Sequence, residues 1–393
     1  MSLQEQAYAG STRVDDERPA NAPGGPTGGP GTGGPADAAS DLVERIGLAV
    51  ARTSAAVGDA WRSLAASAAG ADPEPRELIG LLAAQGGGKQ LRARLAIAAY
   101  LGMGGGAPKV CDALGAAVQL LHVGLCIHDD LIDGDDRRHG RPNLAGSVRA
   151  AWVSAGAGNE VADRQATSAA LLAGDLAISA SVRALAGTPV APETRVALVL
   201  ELLSSLDAAI AGELMDVRSE QLPPVRALPI RMAELKTSGY SVILPLRLGA
   251  VASGRADGAM LAALSEYGRH LGVAYQLKDD ELAVFGDPAR TGKSTSSDVR
   301  GGKRTRLLQL ALEGATPEAR DLLEREVGRA DLSDDGVERV RSVIRESGAL
   351  ERHRGLIVRH AAAAAAALDG AGLTDALDAY LRVIARGVPG RDR

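Results

Sequence analysis

The segment HDDLIDGDDRRHGRPN, residues 128–143, holds five aspartates followed at once by arginines. On a helix, residues four apart share a face, so Asp129 and Asp133 project together with Asp130 beside them. Carboxylates crowded this way repel one another unless a cation lies between them. A hard, oxygen-seeking ion such as Mg²⁺ fits, held by one or two carboxylates together with a ligand's phosphates. The arginines behind would grip the rest of such a ligand. The bland alternative is a solvated helix end dressed with surface ion pairs.

A second segment repeats the design. YQLKDDELAVFGD, residues 275–287, ends an apolar stretch with Asp279 and Asp280, and TGKSTSSDVRGGKRT follows with Lys293, Arg300, Lys303 and Arg304. A third, GGGKQLRA, sets Lys89 and Arg92 three apart at a helix start, where both could reach one diphosphate. One acidic helix end is ordinary surface. Two in one apolar chain read as facing walls of a cavity, because carboxylate clusters near a core are rare unless paired.

Long helices must position these groups. Apolar residues make up 46% of the 393, yet aromatics only 2%, with Phe285 the single phenylalanine. The core is therefore built from Leu, Ala, Val and Ile, and Ala and Leu favour closely packed helices. Apolar residues recur at helical spacing from Ser40 onward. The pattern predicts helices over 108–133, 165–186, 191–219, 229–253, 257–285, 303–313, 333–347, 350–368 and 372–387, with a longer loop around SAGAGNEVAD and no strand alternation. Residues 1–38, including APGGPTGGPGTGGPADA, are Gly/Pro-rich and read as a disordered tail. Residues 39–393 read as a single all-α domain. A net charge of −5 argues against nucleic acid as a partner. Cys111 and Cys126 read as small core residues in a reducing compartment. With no bilayer-length apolar run and no signal pattern at MSLQEQAYAG, the expectation is a soluble cytoplasmic protein without a transmembrane segment.

Taken in order, these motifs resemble those of the trans-type polyprenyl diphosphate synthases, which condense isopentenyl diphosphate with an allylic diphosphate head to tail. Asp129-Asp130-Leu131-Ile132-Asp133 is similar to the family's first aspartate-rich motif. Asp279-Asp280-Glu281-Leu282-Ala283 is similar to the second, with Ala283 where many members have Asp. The resemblance spans about residues 40–390 and implies an isoprenoid-synthase helical bundle around an apolar cavity, working as a homodimer. It implies three Mg²⁺ ions, two held by Asp129 and Asp133 and one by Asp279, with Asp130, Asp280 and Asp216 supporting them. It assigns isopentenyl diphosphate to Lys89, Arg92 and His122, and the allylic diphosphate to Arg138, Lys236, Lys293 and Lys303. The family's second arginine falls on His139, with Arg137 and Arg141 as other cations nearby. Lys236, Thr237 and Gln276 are implied as the catalytic groups beside the reacting ends, with Glu213 facing the same cavity. His128 is read as an orienting group, and LLAGDL, residues 171–176, as a structural Gly-Asp turn.

In this family a bulky residue one turn before the first motif forms a floor that stops the growing chain. Here that turn holds Gly124 and Leu125, with Leu121 below, so the expected product exceeds C15 and is geranylgeranyl diphosphate (C20) or longer. Placing Phe at 124 would then shorten it. Two other readings share some of the same residues. A class I terpene cyclase would carry an Asn/Asp-Ser/Thr-Glu triad on the later helix and more aromatics for cyclic cations. A non-catalytic partner subunit would have lost metal ligands or basic clamps, all of which stand here.

Overall fold

The structure, a computed structural model, describes residues 35–67, 72–85, 88–138, 140–219, 221–287 and 295–392. Residues 1–34 of the expected tail, His139 and Lys293 lie outside these. Helix already begins at Pro35, ahead of the expected start at Ser40.

The fold is all-α apart from one tiny hairpin. In chain order come α1 (Pro35–Ala65), α2 (Pro73–Ala83), α3 (Leu91–Gly102) and α4 (Pro108–Asp133). Strands β1 (Arg137–Arg138) and β2 (Arg141–Pro142) pair antiparallel, Arg138 opposite Arg141. Then follow α5 (Leu144–Ser154), α6 (Asn159–Ala186), α7 (Pro192–Ser219) and α8 (Pro229–Met232). A π-helical segment, Ala233–Ile243, runs directly into α9 (Leu244–Ser253), and α10 (Gly258–Phe285) follows. The C-terminal third is α11 (Ser297–Gly301), α12 (Arg306–Gly314), α13 (Pro317–Glu326), α14 (Asp334–Glu346), α15 (Ala349–Ala366) and α16 (Asp375–Gly387).

The long periodic helices fall within a few residues of their expected ranges. Short helices α2, α5, α11 and α13 were not foreseen, and α6 starts at Asn159, so SAGAGNEVAD is mostly helix rather than loop. Gly174 of the supposed Gly-Asp turn lies inside that same helix. Alternation could not announce β1 and β2, which are two residues each.

α4 is the central column. Pro108 occupies its first turn, where a missing N–H costs nothing. Leu114, Leu120 and Leu121 are fully buried along it, each contributing about 1.5–3 kcal/mol by leaving water. Gly134 ends it in the left-handed region (φ 69°), a conformation that favours glycine. α4 packs along α6 on one side and along α1 and α3 on others. By length and composition alone both α4 and α6 could cross a membrane, contrary to expectation. Their Ala/Leu/Gly faces pack on each other and on neighbouring helices, while α6 also leaves Leu171 and Leu172 exposed.

The segment 229–253 was expected as one helix and is one, but with eleven residues of π-helix inside it. π-helix normally occurs as a single turn and marks functional sites. Pro245, just beyond, has no N–H to return to the preceding turn. This segment lies between α7 and α10. A Cβ on Gly212 of α7 would come within 2.5 Å of the Lys236 nitrogen, and one on Gly272 of α10 within 2.5 Å of the Ser238 Cα. Only bare backbone on both flanks allows so close an approach.

Candidate active site

Asp129 and Asp133 end α4, and Glu213 and Asp216 lie on the last two turns of α7. Acidic groups at a helix C-terminus oppose the helix dipole, so they need cations. Lys236, from the π segment, supplies one: its Nζ lies 3.0 Å from Asp129, 2.8 Å from Glu213 and 2.8 Å from Asp216. Burial opposes its charge, but Asp129, Asp216 and Glu213 together hold it protonated. Arg138, on β1, supplies the other. It reaches Asp129 at 2.8 Å and Asp130 at 2.7 Å, with Cys126 Sγ at 3.5 Å. Among the described residues Asp130, which is buried, pairs with this arginine alone.

The acids still outnumber these two cations. Asp129 is desolvated but held ionised by Lys236 and Arg138. Asp133, at the rim, makes no ion pair among the described residues. Crowding, then the charge of Asp129, pushes its carboxyl up to about 6. Burial pushes Glu213 upward as well. Among the described residues no three carboxylate, imidazole or thiolate groups already converge on one point; the Lys236 ammonium stands at the centre instead. The donors are all hard oxygens, the set that suits Mg²⁺, so Asp129, Asp133, Glu213 and Asp216 fit the ion.

The second acidic pair divides. Asp280 is buried and accepts a hydrogen bond from Gln276 Nε2 at 2.9 Å. Burial pushes it up to about 7, with Lys303 pulling the other way. Gln276 Oε1 in turn accepts from Thr237 Oγ1 at 2.8 Å. The chain Thr237–Gln276–Asp280 thus ties the residue after Lys236 to the second motif. Lys303 also spans the gap: desolvation opposes its charge, but Asp298, Asp280 and Asp216 overcome it. It is solvent-accessible yet closely surrounded, as a side chain in a cleft mouth is. The two acidic motifs therefore do face one site.

Asp279 is half exposed and pairs with Arg391 at 2.6 Å, whose guanidinium also lies 5.0 Å from the Tyr275 ring centroid. Nothing in the sequence pattern pointed to Arg391. Lys278 and Glu281 of the same motif turn away from the site, pairing with each other at 3.3 Å and, for Glu281, with Arg354 at 3.1 Å.

A cationic pocket adjoins. Arg92 donates to Ser241 Oγ at 2.8 Å and lies 4.9 Å from the Tyr240 centroid, while its buried Nε has no partner. His122 stacks on Tyr240 with ring centroids 6.1 Å apart. Lys89 is exposed and precedes α3 rather than sitting in it, joined through Gln90 in a left-handed conformation. Tyr240 and Ser241 were missed because they carry no charge pattern. Arg137 bonds the Gly140 carbonyl, and Arg141 is exposed. His128 faces α6, bonding the Leu171 carbonyl at 3.2 Å.

One expected placement is wrong. Gly124 faces α6: a Cβ there would meet the Gly174 carbonyl oxygen at 2.9 Å and Ile178 at 3.0 Å. A bulky residue at 124 would wedge two helices apart rather than enter a cavity. Leu121 is fully buried in the core, and Leu125, half-buried, shares the face of His122 and Asp129. Two surface hollows of about 410 Å³ each, one between α12 and α15 and one between α1, α4 and α6, contain no expected site residue.

Comparison with known proteins agrees with this geometry. Residues 81–344 match the family model for polyprenyl synthetase. Geranylgeranyl diphosphate synthase of Mycobacterium tuberculosis is 34% identical over 68% of this chain and 70% of its own length. Farnesyl diphosphate synthase of Escherichia coli is 35% identical over 61% and 76%. A crystal structure of geranylgeranyl pyrophosphate synthase from Corynebacterium glutamicum, complexed with isoprenyl diphosphate and magnesium, superposes with a TM-score of 0.80 at 28% identity, covering 87% of this chain and 98% of that one. With the family model covering most of the chain and the acidic motifs sharing one site, the chain belongs to the polyprenyl synthetase family and is an all-α prenyltransferase enzyme.

Proposed function

We propose that the chain condenses isopentenyl diphosphate with an allylic diphosphate, head to tail, to make geranylgeranyl diphosphate (C20) or a longer product. The observation that carries this is Lys236 at the meeting point of Asp129, Glu213 and Asp216, tied through Thr237 and Gln276 to the second acidic motif. That arrangement suits a departing diphosphate beside a carbocation.

Arg92, with its orphaned Nε, and His122 hold the isopentenyl diphosphate around Tyr240, and Lys89 reaches in from the loop. Arg138, Lys236 and Lys303 turn from carboxylates to the allylic diphosphate when it arrives, and Lys293 joins them there. Asp129, Asp133 and Asp279 would hold Mg²⁺, three ions by the family resemblance, which would supply the remaining positive charge against the leaving group. Thr237 donates its proton to Gln276, which leaves the hydroxyl's lone pairs to face the allylic cation. No protein base is needed, because the departing diphosphate takes the proton. Leu125 and the apolar faces of α6 and α7 exclude water that would quench the cation. The enzyme works in the cytoplasm as a homodimer.

The test is labelled isopentenyl diphosphate with C5, C10 or C15 primers, with Mg²⁺ or with EDTA, and products sized by chromatography. Mg²⁺-dependent elongation past C15 is expected. Cyclised hydrocarbon, or no product from the protein alone, would overturn the assignment, and arrest at C15 would overturn the product length.

A further inference from the structure

α10 and α15 pack against each other, and each turns one half-buried imidazole toward the other. His270 Nδ1 lies 3.0 Å from His360 Nδ1, with ring centroids 5.1 Å apart and ring planes tilted by 53°. Neither ring belongs to the acidic motifs or to the cationic pocket. One of the two nitrogens must donate and the other accept, and the surroundings settle which. The Arg269 guanidinium can only donate, and its Nη2 lies 2.9 Å from His270 Nε2. His270 therefore carries its proton on Nδ1 and gives it to His360. The same Nε2 has a second neighbour, the Glu266 carboxylate one turn back on α10, at 3.2 Å. A carboxylate on the outer nitrogen is the support that metal-bound histidines use.

Both rings are kept neutral, the form that ligates a metal. Burial and then Arg269 hold His270 below the usual histidine range, with Glu266 and Glu234 pulling the other way. Burial, His270 and Arg269 push His360 down to about 4, Arg359 adding to this and Glu234 opposing it. The spacing also fits an ion. Two imidazole nitrogens on a tetrahedral Zn²⁺ sit about 3.3 Å apart, and on adjacent corners of a square-planar ion about 2.9 Å. We infer that His270 and His360 form a two-imidazole site for a divalent late transition cation of the zinc, nickel or copper class, bridging α10 to α15. The ion takes the place of the shared proton: His270 releases the Nδ1 proton to solvent and takes one up at Nε2, which donates to Glu266. Arg269 keeps Glu234, at 2.8 Å. Water fills the other positions, since among the described residues no third carboxylate, imidazole or thiolate joins the pair. Mg²⁺ prefers oxygen and does not compete here. Because α10 also carries Gln276 and Asp279, the bridge anchors the helix that presents the second acidic motif.

The test is calorimetric titration of Zn²⁺ into the tag-free full chain at neutral pH in saturating Mg²⁺, with thermal melts alongside. One equivalent of Zn²⁺ that Mg²⁺ does not displace is expected, together with a rise in Tm. His270→Gln and His360→Gln should each weaken binding at least tenfold and abolish the rise, while their zinc-free melts show that they fold. Glu266→Ala should weaken it about 10–100-fold. His122→Gln should leave it unchanged, which separates this site from zinc held by His122 and Cys126. In that same His122→Gln background one equivalent of Cu²⁺ should show nitrogen splitting from two imidazoles in its EPR spectrum. Zinc binding that survives both His270→Gln and His360→Gln, or that His122→Gln removes, would overturn the proposal. So would an all-oxygen copper spectrum, or no Zn²⁺ retained against Mg²⁺.

Discussion

The acid-bearing ends of α4 and α10 solve the same electrostatic problem in different ways. At α4 Asp129 stays ionised, because Lys236 and Arg138 are drawn against it, while Asp133 at the rim is pushed up to about 6. At α10 the burden is split: Asp279 remains in solvent against Arg391, while Asp280 is buried with only an amide donor and is pushed toward protonation. The first end is thus a cluster of negative charge gathered around the chain's own cations. The second places one carboxylate outward and uses its neighbour as a hydrogen-bond anchor. Adjacent identical residues can have opposite duties when one faces water and the other the interior.

The widest predicted gap is in turnover. Asp129→Asn or Lys236→Met removes a member of the ionised cluster and should lower kcat by about 10²–10³ at saturating Mg²⁺. Asp280→Asn keeps an acceptor for Gln276 and should cost about tenfold or less. Equal losses in steady-state kinetics would erase the distinction between the two ends.

Stability against pH sharpens the same contrast. Asp280 ionises near 3.8 when unfolded and at about 7 when folded, so the fold favours its protonated form. Its contribution is fully present below pH 4 and lost as pH rises through 7. Asp280→Asn mimics the protonated state, so the metal-free variant should exceed wild type in stability by about 2–4 kcal/mol at pH 8. The difference should close toward pH 4 in urea titrations. A pH-independent difference would show that Asp280 stays ionised in the fold.

Packing offers a third handle on how the ends are brought together. Gly212→Ala forces a methyl onto the Lys236 backbone and should cost about 1–3 kcal/mol, with a lower Tm and weaker turnover. Gly239→Ala meets nothing nearer than Ser205 Oγ at 3.8 Å and should behave as wild type in the same melts. Finally, Leu125→Phe should shorten the product in the chromatographic assay while Gly124→Phe mainly lowers Tm. Product shortening by the latter alone would put the floor back against α6.

Much of this was legible beforehand for a physical reason. Asp129, Asp133, Asp279 and their cations carry charge in helical spacing, and α4, α7 and α10 are long and strongly periodic. Gly124 was misplaced because one position along a helix turns a side chain by about 100°, and neither periodicity nor motif spacing settles which of two adjacent residues faces inward. Gly212 and Gly272 escaped notice because close backbone approach leaves no mark in charge or hydropathy. Arg391 and Tyr240 are brought to the site by tertiary contacts from distant segments. The π segment was invisible since its sequence is an ordinary apolar helix until its hydrogen bonds shift by one residue.

That wider winding makes the enzyme sensitive to residue count as well as residue kind. Lys236 meets the carboxylates of Asp129, Glu213 and Asp216, and Tyr240 lies against Arg92 and His122, with only four steps of broadened helix setting the angle between them. A one-residue deletion between them would swing one group roughly 100° relative to the other. Every side chain could be preserved and the acidic cluster and the cationic pocket would still be turned apart.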